Sequence, residues 1–308
     1  MSKLSYRLLI FLLFIIVYFA TSVPKGGYFS FLGITGFRLS ILIGSIVYYI
    51  LIALLLNTSR GRQNRIFILL AALISFVPEL IFRVFNFSDT LISFLDAAFK
   101  ILSIIISWLI FQYTKSSLIR VGGSILILGL TVWFSFYTFD YWINYVQQGS
   151  FEGKKYQHIT NGIKVQNING EYEELTSLYE HYILLDFWSR QCGVCYKMMP
   201  EVEELYCRFK NRDDVEVYSV FCRYKDDKYN TGDSIVRNRG YTFPVVSIDC
   251  DSNSVLLKEM GVERYPQFII MDRENNIIYH GTLSLAKKFL NNLCSDNISY
   301  GEGGVRCD

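Results

Sequence analysis

The first 150 residues of this 308-residue chain contain no cysteine and no histidine, and their only methionine is the initiator. A relay of thiols through that half has no carrier, and a haem held there would lack its usual His or Met axial ligands. Acidic residues are scarce in the same stretch. Before residue 147 there are 11 Lys and Arg against 4 Asp and Glu, and after it 19 against 24. Neither half presents a basic face of the kind nucleic acid requires, so no nucleic-acid partner is expected. The chain also has a single Cys-x-x-Cys and no His-x-His cluster. A zinc ribbon needs a second ligand pair at metal spacing, so neither a metal nor another cofactor is expected.

What the first half does contain is apolar. A helix that crosses a bilayer needs about 20 predominantly apolar residues, and five stretches qualify: 5 to 21, 38 to 56, 65 to 84, 91 to 113 and 118 to 138. "NTSRGRQNR" (57 to 65), "TKSSLIR" (114 to 120) and the N-terminus with Lys3 and Arg7 are basic, which assigns them to the cytoplasm by the positive-inside rule. Residues 1 to 146 are thus expected to form a membrane region of about five transmembrane helices, in contact with the lipid bilayer. Residues 151 to 308 form an exported domain. Aromatics in "VWFSFYTFDYWINY" (132 to 145) fit an interfacial belt on the outer side. An alternative makes the first span a cleaved leader ending near "ATS" (20 to 22), with the domain outside in either case. Glu79 and Arg83, like Asp96 and Lys100, are four residues apart, and pairing within one helix accounts for them; a pathway for ions or protons is the competing explanation.

All seven cysteines, Cys192, Cys195, Cys207, Cys222, Cys250, Cys294 and Cys307, lie in the second half. "YILLDFW" (182 to 188) has the length and apolarity of a strand, and "GVCYKMMPEVEELYCRFK" (193 to 210) the pattern of a helix. Cys192 then stands at a helix N-terminus, where free N–H groups and the helix dipole stabilise a thiolate, with Arg190 positioned to add to the effect. Cys195, one turn further in, is expected to be less exposed and suited to resolve a mixed disulfide. A structural disulfide or an inactive fold fits the same four residues. Downstream come strands at 215 to 221, 243 to 249, 266 to 272 and 277 to 281, with helical stretches at 229 to 240, 253 to 261 and 283 to 293. Alternating strands and helices make an α/β domain, closed by an antiparallel hairpin across "RENN" (273 to 276).

"LLDFWSRQCGVC", "FPVVSID" and "MGVERYPQFIIMDRENNIIYHG" in that order resemble the thioredoxin fold, and "NGIKVQNINGEYEELTSLYEHY" (161 to 182) resembles the N-terminal extension of its exported TlpA/ResA branch of thiol:disulfide oxidoreductases. The resemblance covers about residues 157 to 295. It implies a central mixed sheet flanked by helices, Cys192 and Cys195 as the catalytic pair, and Tyr265-Pro266 as a cis-proline loop facing them. It also implies Asp186 as a buried acid that passes a proton to or from Cys195. The backbone at Tyr265 and Pro266 would pair with an extended substrate segment, with Arg190 and Gln191 at the rim of the groove. Gln191 and Val194 replace the usual Trp and Pro of the motif, and Tyr265 is bulkier than the common residue there. Neither redox direction nor substrate is therefore carried over, although the branch favours reduction.

The expected function is a membrane-anchored thiol:disulfide oxidoreductase, more often a reductase, in the inner membrane of a bacterial envelope with its C-terminal domain in the periplasm. Its partners would be exported proteins with cysteines or disulfides and a membrane redox partner. The alternative is a binding or scaffold module without redox turnover. A peroxiredoxin is disfavoured, since Ser189 stands where its Thr would be. Cys207, Cys222 and Cys250 are expected to be small buried hydrophobes, and Cys294 and Cys307 flank a polar, glycine-rich tail that a disulfide between them could staple, a bond the sequence leaves open.

Overall fold

The computed structural model describes residues 3–26, 30–31, 34–59, 61–160, 162–175, 181–250 and 255–295. The chain divides into two compact units, Met1–Trp142 and Ile143–Asp308.

The first unit is built from helices: α1 (Lys3–Ser22), α2 (Gly36–Thr58), α3 (Arg62–Ile74), α4 (Val77–Phe85), α5 (Phe87–Tyr113) and α6 (Ser117–Trp133). A two-residue antiparallel ribbon, β1 (Ser30–Phe31) with β2 (Ile34–Thr35), lies between α1 and α2. Ile10 and Phe14 of α1, Tyr48 and Ile52 of α2, Ile68 and Ala72 of α3 and Ile104 of α5 form its interior. Its outer face is apolar as well, with Leu8, Leu12, Ile16, Leu54 and Ile125 exposed. Soluble helical bundles put charge there. Five helices or helix pairs, Lys3–Gly26, Gly36–Thr58, Arg62–Phe85, Thr90–Tyr113 and Ser117–Gln148, are long and apolar enough to cross a membrane. Two of them are irregular. The third breaks at Ser75–Phe76 because Pro78 has no N–H to give the Ile74 carbonyl. The fifth runs past its expected end at 138, through a π turn at Phe134–Thr138 into α7 (Phe139–Gln148).

The second unit is an eight-stranded sheet of β3 (Lys154–His158), β4 (Lys164–Gln166), β5 (Tyr172–Glu174), β6 (Tyr182–Trp188), β7 (Val215–Arg223), β8 (Val245–Asp249), β9 (Gln267–Met271) and β10 (Asn276–Gly281). Across the sheet the order is β3-β10-β9-β6-β7-β8-β4-β5. β6, β7 and β8 are parallel, and every other pairing is antiparallel. β6 sits centrally and is buried from Ile183 to its end, as a strand covered on both faces must be. Its odd-numbered residues Ile183, Leu185 and Phe187 join Val220, Cys222, Ile269 and α10 (Val255–Met260) in one cluster. Alternation turns Leu184, Asp186 and Trp188 to the opposite face. There Trp188 meets Tyr196 of α8 (Gly193–Phe209) and Phe221 of β7. α9 (Thr231–Asn238) reaches this face too, and Gly232 is required: a Cβ there would lie 2.6 Å from the Phe221 side chain. α11 (Leu283–Ser295) packs on β9 and β10.

Candidate active site

The apolar run of β6 ends at Trp188, and five residues later, at Gly193, α8 begins. Cys192 is the N-cap of that helix, and its Sγ accepts the backbone N–H of Cys195 at 3.1 Å. The two sulfurs are bonded at 2.03 Å, with Cα atoms 5.3 Å apart. Cys192 is half-buried and Cys195 buried, while Gln191, Gly193 and Val194 are exposed. The outer sulfur is thus the one that an incoming group can reach, and it already receives an N–H bond and the positive end of a 17-residue helix. Both features favour a thiolate once the bond is reduced.

Asp186 lies on the β6 face that α8 covers, 5% exposed, and accepts a hydrogen bond from Ser219 Oγ at 3.3 Å. Burial pushes its carboxyl up from the ordinary 3.8 to about 7, against a smaller opposite pull from Ser219. Ser219 was not foreseen. It faces Asp186 through the parallel register of β6 and β7, which no local pattern reveals.

The third part comes from β9. Phe187 pairs with Gln267 in the antiparallel β6–β9 ladder, so the residues before Gln267 lie beyond the end of β6, where the chain leads to Cys192. Those residues are Tyr265 and Pro266, joined by a cis peptide bond. The Tyr265 phenol turns into the interior, where its hydroxyl meets Cys250 Sγ at 3.2 Å and also bonds Cys222. Burial and these two thiols raise its pKa.

Arg190 is exposed, but its charge is directed elsewhere. Its guanidinium pairs with the buried Asp227 at 3.2 Å, and its carbonyl accepts the Tyr196 hydroxyl. The thiolate support expected from Arg190 is thus shared with a carboxylate 37 positions downstream. Among the described residues no three His, Cys, Asp or Glu side chains are grouped to hold a metal ion.

The remaining cysteines divide. Cys222 is fully buried and Cys250 half-buried, both free. Cys207, expected to be an isolated buried thiol, is disulfide-bonded instead; its partner side chain lies outside those described. The candidate Cys294–Cys307 staple falls outside them too.

A family model for thioredoxin-like proteins matches residues 180–277. The C-terminal unit is a thioredoxin-like domain. It is of the thiol:disulfide oxidoreductase type, with a closely spaced Cys-x-x-Cys pair at the start of α8. Thiol-disulfide oxidoreductase ResA of Bacillus thuringiensis is 26% identical over 134 residues, which cover 42% of this chain and 73% of that protein. Among solved structures, the thioredoxin domain of a thiol-disulfide oxidoreductase from Bacteroides vulgatus is 20% identical, with a TM-score of 0.38 over 45% of this chain and 97% of the other. A thiol:disulfide interchange protein from Bacteroides sp. is 18% identical, with a TM-score of 0.40 over 46% and 92%. The family-model match falls within the thioredoxin-like domain.

Proposed function

We propose that this chain is a multi-pass membrane protein whose thioredoxin-like domain reduces disulfides of exported proteins. The observation that carries this reading is the asymmetry of the cysteine pair, with Cys192 reachable at a helix N-terminus and Cys195 buried one turn behind it. In the reduced domain the Cys192 thiolate attacks a substrate disulfide, forming a Cys192–substrate disulfide and releasing one substrate thiolate. Asp186 takes the Cys195 proton. The Cys195 thiolate then attacks Cys192 Sγ, the mixed disulfide breaks, and the second substrate thiolate leaves and is protonated. Two electrons pass to the substrate and the domain is left as its disulfide, so a membrane redox partner must return two electrons and two protons. The backbone of Tyr265 and Pro266 lines up an extended substrate segment, and Arg190 and Gln191 border it.

Five apolar helices, with basic segments at residues 57 to 65 and 114 to 120, support a five-span arrangement in a bacterial inner membrane, with the domain in the periplasm. The direction of electron flow is tested by equilibrating the purified full-length chain with dithiothreitol or glutathione buffers and following Cys192 alkylation. A potential near or below about −270 mV supports reduction of substrates, and one near −120 mV makes the domain an oxidant. Absence of a reversible couple between Cys192 and Cys195 replaces the enzyme with a binding module. Reporter fusions after residue 148, active only in the periplasm or only in the cytoplasm, check the topology.

A further inference from the structure

The two i,i+4 pairs of the helical unit are formed, but they are not separate. Arg83 meets Glu79 at 2.5 Å and Lys100 meets Asp96 at 3.0 Å. Lys25, in the 3-10 turn Val23–Gly26 that follows α1, contacts both carboxylates, Glu79 at 3.2 Å and Asp96 at 2.8 Å. The Tyr18 hydroxyl donates to Glu79 at 3.0 Å. Lys100 is buried to 1% exposure, and its stem occupies the space that a Cβ on Gly44 of α2 would need. The helix-by-helix pairing that the sequence spacing suggests is thus part of one network tying together α1, α2, α4 and α5. Three cations face two carboxylates among its described side chains. The surplus is one positive charge, in a setting where an uncompensated charge is costly.

This network forms the polar end of a cavity of about 820 Å³, within the range of small-ligand pockets. Tyr18, Lys25, Glu79 and Arg83 line it on one side. Ile15, Phe19, Phe37 and Phe82 supply apolar wall, with Phe19 and Phe82 exposed on the outer surface. Arg83 is 7% exposed, and its Nε has no hydrogen-bond partner. The break between α3 and α4 also opens here, through Ser75, Val77 and Pro78. Irregular backbone at membrane depth is tolerated where it is packed in protein or lines a cavity. The α3–α4 break meets that condition by lining this one.

We propose that the cavity binds an amphiphile with a single anionic head, carboxylate or phosphate, and an acyl or isoprenoid tail. The head sits against Lys25 and Arg83 and supplies the missing negative charge; the tail lies along the phenylalanines. Charge balance selects this occupant over a neutral lipid, which would fill the wall and leave the surplus. The site is independent of the thiol chemistry, and its failure leaves the redox reading untouched.

The test uses the delipidated full-length chain in a neutral detergent. Oleate is compared with oleyl alcohol, and phosphatidylglycerol with phosphatidylcholine, by native mass spectrometry for stoichiometry and by thermal shift for affinity. One anionic molecule per chain, held at least tenfold more tightly than its neutral counterpart, is expected. Selectivity in the first pair identifies a free carboxylate as the head, and in the second a lipid phosphate. R83Q should reduce the anionic affinity at least tenfold and leave the neutral one unchanged. Because R83Q also removes a partner of Glu79, I15W provides a second variant that fills the wall and leaves the ion pairs alone; it should abolish binding of both. Equal binding of charged and neutral members overturns the proposal, as does unaltered oleate and phosphatidylglycerol binding by I15W.

Discussion

The thioredoxin-like domain holds two couples of thiols in contrasting surroundings. Cys192 and Cys195 begin a helix at the end of the central strand, one sulfur half-buried and receiving a backbone N–H. Cys222 and Cys250 are both held against the Tyr265 phenol, on the apolar cluster of the opposite sheet face. Burial pushes the Cys222 thiol well above its ordinary value. Sulfur alone therefore decides little. What separates a nucleophile from a packing atom is access together with stabilisation of the anion, and the helix N-terminus provides both where the core provides neither.

The largest effect should come from removing the outer sulfur. Cys192→Ser is expected to lower disulfide turnover to the uncatalysed background, measured with a dithiothreitol-coupled assay on a disulfide-bonded protein, while circular dichroism stays unchanged. Cys195→Ser should instead accumulate a mixed disulfide on Cys192, visible as a mass increment on non-reducing gels. If either Cys222 or Cys250 supports turnover in the absence of Cys192, the contrast between the couples collapses.

Next is Asp186→Asn, which asks whether the acid behind the reactive couple sets its pH response. The carboxyl is raised from 3.8 to about 7, so below about pH 3.8 the folded and unfolded forms both hold its proton and nothing is lost. Between pH 3.8 and about 7 the unfolded chain loses this proton while the folded state keeps it, so stability falls by up to roughly 4 kcal/mol as pH rises to the folded value and levels off above it. Asn has no such proton to lose. The variant is therefore expected to be more stable than the parent at pH 8 and of similar stability near pH 4, in denaturant titrations followed by Trp fluorescence. Release of the mixed disulfide should slow, and its rate should lose the inflection near pH 7. An unchanged pH profile would reduce Asp186 to a structural acid satisfied by Ser219.

How much of this was legible in the sequence follows from where each element draws its stability. β6, β7, β8 and β9 are buried runs of their own apolar residues, and the expected strands at 182 to 188, 215 to 221, 243 to 249 and 266 to 272 overlap them. β3, β4 and β5 read "KKYQH", "KVQ" and "YEE". Nothing in their side chains specifies a strand; their extension is imposed by hydrogen bonds from β10 to β3, from β8 to β4 and from β4 to β5. The cysteine couple, Asp186 and the Tyr265-Pro266 loop were visible because each occupies a local motif. The Arg190–Asp227 pair and the Ser219 hydroxyl were not, since each joins segments whose separation in sequence carries no period. The same holds for Lys25, whose bridge between α4 and α5 turns two local pairs into a network.

The smallest effects belong to the second couple. Cys222 is fully buried among Val220, Ile248 and Ile269, so Cys222→Ala removes a sulfur from packed surroundings and leaves a small void. A loss of about 1 kcal/mol in stability is expected, with turnover unchanged. Cys250 is only half-buried, and its main contact is the Tyr265 hydroxyl. A serine there can still exchange a hydrogen bond with the phenol, so Cys250→Ser should change stability by less than about 0.5 kcal/mol. Iodoacetamide provides the kinetic counterpart in the reduced protein. Cys192 should be modified first and Cys222 only on unfolding, and Cys250 should follow the opening of the Tyr265 contact. A Cys222 that reacts as fast as Cys192 in the folded chain would mean that burial, rather than the helix N-terminus, had been given too much weight in separating the two couples.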